Sequence, residues 1–311
     1  MTIKHKFVSG KASTPDPDDI DAGKWNEEHL VDAAGIPMAS SVAGAAAPAS
    51  GLVTFAQDFA GRPMLAALAP TGAAMLQQTA FLRCRPAYWL PNGGTTTVTA
   101  SGMLINPGAP TARSVGSLSF FTSHRRVGYV TAATANANVN ARAGTASERL
   151  YIIGTAPRTG GFLQVWRIGT SAYVNDARCF FGMMGSSSAY GSASPSSLTD
   201  MLGIGFDAGD TVWSVYNNDS SGVPTKTPLP AGFPCNTNNT DVIEFAMRVA
   251  PASQTVYWQA TNLTTGVTTV GSMTGDLPVE ILLQPHLNVS NGPSAVAAGV
   301  DLMLMYIETE N

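Results

Sequence analysis

The sequence predicts an all-β fold, an antiparallel sandwich of the jelly-roll type, and three observations predict it. Short runs of apolar, β-branched and aromatic residues recur from about residue 91 to the end, separated by Gly, Asn-Asp and Pro turn signals. Charged residues make up only 12% of the chain while Gly, Ser, Thr, Ala and Asn abound, which favours turns and short strands over solvated helices. Several runs alternate with a period of two. Over 242–249, Ile243, Phe245, Met247 and Val249 share one face and Val242, Glu244, Ala246 and Arg248 the other, so the first set marks the core side.

Taken in order, residues 1–35 read as a polar, extended arm. Ser13-Thr14-Pro15-Asp16-Pro17 forbids regular structure, and Asp21 or Gly23 is placed to precede a short helix over about 24–31. Trp25 and His29 then lie four apart on one helical turn. Either they pack on their own chain, or Trp25, having no local core, anchors the arm to a partner. Residues 36–90 read as a connector that opens with Ala39-Ser40-Ser41-Val42-Ala43-Gly44-Ala45-Ala46-Ala47-Pro48. Within it 52–56 reads as a strand, and 62–68 and 73–82 as two helical patches split by Pro70-Thr71-Gly72. Met75, Leu76, Thr79 and Leu82 share a helical face that one short helix cannot bury. It must pack on the body or on copies of itself, and the second choice leads to the expectation of a homotrimer.

Residues 91–311 read as the sandwich, with strands expected at 117–121, 127–130, 150–153, 162–168, 179–184, 202–206, 211–216, 242–249, 255–260, 281–283 and 300–307. Tyr257 and Trp258 are neighbours in one such run, so one ring is expected in the core and the other in solvent.

Composition narrows the function. A net charge of −4 and a sequence pI near 5.5 leave no basic footprint, which excludes nucleic acid and anionic lipid as partners. No run of some twenty apolar residues is present, so membrane insertion is not expected. Cys84, Cys179 and Cys235 are isolated and odd in number, which fits a reducing cytoplasm better than a disulfide framework. Met1-Thr2-Ile3-Lys4-His5-Lys6 leads into no apolar run and is read as carrying no secretory leader.

Catalytic chemistry finds little support. Histidines stand at 5, 29, 124 and 286 without metal-ligand spacing, so neither a metal nor a cofactor is expected. His124 beside Arg125-Arg126 reads as a solvated strand end, and His286 after Gln284-Pro285 as a structural turn residue. Asp200, Asp207 and Asp210, or Asp241 with Glu244, offer a conceivable acid pair. Against that, Asp207-Ala208-Gly209-Asp210 reads as a tight turn whose carboxylates bond local amides. Asn217-Asn218-Asp219 carries oxygens suited to Ca²⁺ but reads first as a hairpin turn. Ligand binding fits better than turnover: aromatic rings suit the apolar faces of sugars while Asn, Asp and Thr satisfy hydroxyls. The candidate residues are Tyr190, Trp213, Tyr216, Asn218 and Asp219, with the Gly/Ser-rich stretch 185–197 and the turn at 217–222 as an exposed recognition tip.

The body resembles the concanavalin-like sandwich near the C-terminus of many bacteriophage structural proteins. The segments that carry the likeness are Arg178-Cys179-Phe180-Phe181-Gly182-Met183, Leu202-Gly203-Ile204-Gly205-Phe206-Asp207, Asp210-Thr211-Val212-Trp213-Ser214-Val215-Tyr216 and Asp241-Val242-Ile243-Glu244-Phe245, and it continues to Tyr306-Ile307-Glu308-Thr309. The arm adds Trp25-Asn26 with His29 close to the N-terminus, a pattern that resembles a virion-attachment segment. The resemblance implies a virion protein assembled in the host cytoplasm. Its arm, through Trp25, Asn26 and His29, would meet portal, adaptor, tail or capsid proteins, and its sandwich would serve adhesion to host surface polysaccharide as part of a trimeric fibre. Two alternatives accompany it: a decoration protein that stabilises the capsid shell, and a carbohydrate-active enzyme of lectin-like fold.

Overall fold

The computed structural model describes residues 85–144 and 149–309, residues 46, 48–51, 53–68 and 70, and the backbone of 2–3, 29–30, 40–41 and 74–77. The chain forms two compact units, one of Met1–Asp58 with Pro63–Gln78 and one of Phe59–Arg62 with Thr79–Asn311.

In the first unit, β1 (Thr2–Ile3) pairs antiparallel with β2 (His29–Leu30). A separate four-stranded sheet runs in the order β3 (Ser40–Ser41), β4 (Val53–Phe59), β5 (Arg62–Leu68) and β6 (Ala74–Gln77). The strand expected at 52–56 is β4, but both helical patches are corrected: 62–68 is β5, and 74–77 is β6, paired with it from Leu65↔Gln77 to Leu68↔Ala74. The cause is turn chemistry. Ala60 and Gly61 both take positive φ, 52° and 75°, the two-residue loop that matches the twist of a hairpin, so β4 and β5 meet before a helix can start. The helical face invoked for self-association is therefore absent over 74–77, while Thr79 and Leu82 lie outside the described residues. The expected helix at 24–31 ends instead in β2, with Trp25 and Asn26 also outside the described residues.

The second unit is the sandwich. Its strands are β7 (Pro86–Pro91), β8 (Val98–Ser101), β9 (Ile105–Asn106), β10 (Thr111–Ala112), β11 (Val127–Val130), β12 (Asn138–Ala143), β13 (Phe162–Ala172), β14 (Arg178–Met184), β15 (Met201–Phe206), β16 (Ser214–Asn218), β17 (Thr225–Pro228), β18 (Ile243–Val249), β19 (Val256–Asn262), β20 (Val267–Met273), β21 (Gln284–Ser290) and β22 (Gly299–Thr309). A larger sheet runs β10-β11-β22-β13-β18-β19-β20, with β7 on β22 and β8 on β7; a smaller one runs β17-β16-β15-β14-β21-β12-β9. Neighbouring strands in both are antiparallel, and the sandwich starts at Pro86.

Between the sheets lies one continuous core. Ile243, Phe245, Met247 and Val249 all point into it, as the alternation predicts, and Trp258 is buried while Tyr257 is 45% exposed. A ladder of rings crosses from one sheet to the other: Trp89 to Trp166 at 5.8 Å, Trp166 to Phe181 at 5.5 Å, Phe181 to Trp213 at 6.3 Å and Trp213 to Phe206 at 5.1 Å. Such edge-to-face and tilted contacts each contribute about 0.5–1.5 kcal/mol beyond area burial.

Three local expectations are corrected. The run 117–121 is not a strand but leads into a one-turn helix, α1 (Phe120–Ser123), because Ser119 and Thr122 form a reciprocal capping box. His124 is accordingly the C-terminal cap of α1, its Nδ1 2.7 Å from the Phe120 carbonyl and its ring against Phe120 at 4.6 Å. The runs at 150–153 and 281–283 make only isolated bridges, Tyr151↔Leu283 and Ile153↔Val279.

A strapped sheet face as the candidate functional site

Side chains that alternate with the core on β12, β14, β15, β16 and β21 form the outer face of the smaller sheet. Cys179, Phe181 and Met183 turn inward from β14, so Arg178, Phe180, Gly182 and Met184 face out. Leu287 and Val289 turn inward from β21, leaving Gln284, His286, Asn288 and Ser290 outside. This face is buried nonetheless, because residues 185–198 cross it as a strap.

The strap is held by its main chain. Its Gly185 carbonyl accepts from Arg149 Nη1 at 2.9 Å, and its Ser186 carbonyl from Gln284 Nε2 at 2.8 Å and His286 Nε2 at 2.7 Å. Farther along, Ser187 O accepts from Arg142 Nε (3.0 Å), Gly191 O from Asn288 Nδ2 (3.0 Å), Ser192 O from Arg178 Nη1 (2.7 Å) and Leu198 O from Asn218 Nδ2 (2.6 Å). A sheet face built of donors thus reads successive backbone carbonyls of one segment. Neutral bonds of this kind contribute about 1 kcal/mol each, and those from guanidinium about 1.5–3. Against this, the Oε1 of Gln284 and the Oδ1 of Asn218 are buried with no hydrogen-bond partner among the described residues, which offsets part of the gain.

Apolar anchors fix the strap's centre. The Tyr190 ring meets Phe180 edge-on at 6.4 Å, within a cluster of Phe180, Met184, Leu198, Met201 and Tyr216. Gly182 and Gly203 are paired directly beneath Phe180. A Cβ at either would lie 2.7 or 3.0 Å from Phe180 Cζ and 2.3 or 2.2 Å from a backbone oxygen, so only glycine admits the ring there.

Burial decides the protonation of the face. It drives the His286 pKa down to about 4, with the nearby Arg142 charge adding to the shift and the bond to Ser186 opposing it. The ring is therefore neutral at pH 7 and donates its Nε2 hydrogen to the Ser186 carbonyl. Beside the strap, Lys226 Nζ lies 3.0 Å from Asp207 Oδ2 and 2.7 Å from Asp210 Oδ2, and Tyr216 OH donates to Asp207 Oδ2 at 2.9 Å. Burial works against the Lys226 charge, but the two carboxylates more than offset it and its pKa is raised. Burial first, then the same carboxylates, push the Tyr216 phenol up. The Asp207 amide bonds Asp210 Oδ2 and the Asp210 amide bonds the Asp207 carbonyl, the expected tight turn.

The sequence-derived candidates divide. Tyr190 is part of the strap and packs its ring on Phe180, while Tyr216 and Asn218 lie beneath the strap, Asn218 bonding the Leu198 carbonyl. Trp213 is fully buried between the sheets and offers no face to a ligand. Asp219 lies in the turn after β16 and bonds the Ser221 amide at 2.7 Å, while Asn217 and Asn218 belong to β16 itself and not to the turn. His29 lies in β2, where its backbone pairs with Ile3. His286 is corrected from turn residue to strand residue, 1% exposed. Arg142, Arg178, Gln284 and Asn288 hold the strap and are not among the residues that the sequence marks as candidates. The alternation of Gln284-Pro285-His286-Leu287-Asn288-Val289-Ser290 carried the signal.

Among the described residues no group of three His, Cys, Asp or Glu is placed to hold a metal. No helix among them is long and apolar enough to cross a membrane. Cys179 and Cys235 are buried and free, and burial raises both thiols, Cys235 to about 12, so neither is a ready nucleophile.

Fold and site define a two-sheet antiparallel sandwich with one outer face closed by a strap. No protein-family model matches the chain, and no curated protein matches it. Among solved structures, peanut lectin with a nine-residue peptide is 13% identical, over 73% of this chain and 97% of that one, with a TM-score of 0.47. Arcelin-5, a lectin-like defence protein from Phaseolus vulgaris, is 8% identical over 73% and 98%, at 0.45. The CBM2 module of an evolved Dit from Lactobacillus casei BL23 phage J-1 is 13% identical over 75% and 91%, at 0.37. At these scores none assigns a family or a ligand, and the sandwich class rests on the sheet order and register.

Proposed function

We propose that this chain is a bacteriophage virion protein, a fibre-type appendage whose arm, through Trp25, Asn26 and His29, joins it to other virion proteins. Its sandwich serves adhesion to the host surface, with polysaccharide as the ligand class. The observation that carries the reading is the strap. Because the sheet holds residues 185–198 by their carbonyls, Ser186, Ser188 and Ala189 remain exposed and are not needed for the hold. A segment fixed by its main chain and the buried Tyr190 and Leu198 anchors, with other side chains turned to solvent, is suited to recognition.

Binding without turnover is supported by the carboxylates. Asp207 and Asp210 are both engaged by Lys226, and Tyr216 also donates to Asp207, so neither is an uncommitted acid or base.

The test is retention of the purified full-length chain on host cells in the presence of extracted host polysaccharide. The proposal expects saturable retention that the polysaccharide competes away with no release of reducing ends. Absence of retention would reject adhesion, and reducing-end release would favour the enzyme.

A further inference from the structure

The larger sheet ends in β20, which among the described residues pairs on one side only, with β19. β20 has seven residues in unbroken register with β19, from Asn262↔Val267 to Val256↔Met273. The other sheet ends are short: β9 and β10 have two residues each, and β8 and β17 four, the last carrying Lys226 and Pro228. An edge strand turns alternate N–H and C=O groups outward, and proteins blunt long edges with charge, proline or a bulge.

β20 has none of these devices. Its sequence, Val267-Thr268-Thr269-Val270-Gly271-Ser272-Met273, lacks charge and proline, and no charged residue occurs anywhere from Val249 to Gly275. Its inner side is fixed against the core, since the Trp258 ring lies where a Cβ on Gly271 would stand, 2.3 Å away. Apolar surface accompanies the open edge: Val267 is 43% and Val270 52% exposed, beside the half-exposed Tyr257.

We propose that β20 pairs antiparallel with β20 of a second copy, across a two-fold axis at Val270. The strand is self-complementary about that residue. Val267 meets Met273, Thr268 meets Ser272, Thr269 meets Gly271, and Val270 meets its own copy. Apolar residues meet at the ends and the centre, Thr268 and Ser272 pair their hydroxyls, and no like charges are opposed. The pairing makes one continuous sheet of two larger sheets and removes the longest open edge of the sandwich among the described residues. A second copy is the occupant because the whole hairpin is neutral, so a charged partner has nothing to read. This inference is independent of the adhesion reading.

The experiment uses the full-length protein at micromolar concentration in light scattering, with Val270→Lys and Val270→Cys. The wild type is expected at an even multiple of the chain mass, and Val270→Lys, which sets two ammonium groups together at the axis, at half the wild-type mass with an unchanged melting curve. Mixing Val270→Lys with Val270→Glu should restore the original mass. Val270→Cys should form a reducible covalent dimer under mild oxidation that the wild type does not, because directly paired Cα atoms fall within disulfide reach. A monomeric wild type, an unchanged mass for Val270→Lys, or no covalent dimer from Val270→Cys would each overturn the proposal.

Discussion

Acidification should loosen the strap through His286, by an amount the structure sets. The ring titrates near 4 when folded and near its ordinary 6.5 when unfolded. A folded pKa below the unfolded one means that the unfolded chain binds more protons between these limits, so stability falls with falling pH and levels off below 4. The His286 contribution, whole at pH 7, is then smaller by about 2 kcal/mol at pH 5 and by about 3 kcal/mol below pH 4, at 1.36 kcal/mol per pKa unit. Carboxylates titrate in the same range, so the quantity to measure is the difference between the wild type and His286→Gln, whose amide retains a donor for Ser186. Denaturant unfolding at pH 7, 6, 5 and 4 supplies it. The wild type should lose stability relative to the variant by these amounts, with most of the change between pH 6.5 and 4. Parallel pH profiles would refute a buried, neutral His286 beneath the strap.

Gly203→Ala should destabilise the sandwich by about 1–3 kcal/mol, because the added methyl meets a backbone oxygen and the Phe180 ring in a packed face; the shift in urea midpoint reads it. Trp213→Ala should cost about 3–5 kcal/mol as a core truncation, read by the urea midpoint; unchanged stability would return Trp213 to the surface. On the virion reading proposed above, Trp25→Ala should lower incorporation into particles while leaving the body folded, as occupancy on purified virions would show, and normal occupancy would count against the arm as anchor.

The sandwich was legible because burial imposes alternation. The core side of β18 and the opposed faces of Tyr257 and Trp258 followed from period two alone. The connector was misread because Arg62-Pro63-Met64-Leu65-Ala66-Ala67-Leu68 has helix-forming composition, while the two-residue turn at Ala60-Gly61 decides for a hairpin. Tyr190, Tyr216 and Asn218 carry groups suited to a ligand, yet Tyr190 anchors the strap from within and Tyr216 and Asn218 meet it from the sheet. Sequence shows which residues can donate, not that a segment 100 residues away supplies the acceptor, as Ser186 does for His286. Pro285 points to a break and hence to a turn at His286, but β21 accommodates the proline in its register, opposite Met183. Trp213 shows the opposite error, a ring credited with recognition that the core claims.

The most direct test of the account substitutes the strap's outward side chains, Ser188→Gln with Ala189→Gln, and measures in parallel the melting curve of the protein and the adsorption of particles carrying it. Main-chain retention predicts a stability change within about 0.5 kcal/mol, as for ordinary surface positions. A recognition role for the strap predicts a changed adsorption rate or host range. Large destabilisation would contradict the main-chain hold, and unchanged adsorption by a stable variant would contradict the recognition role.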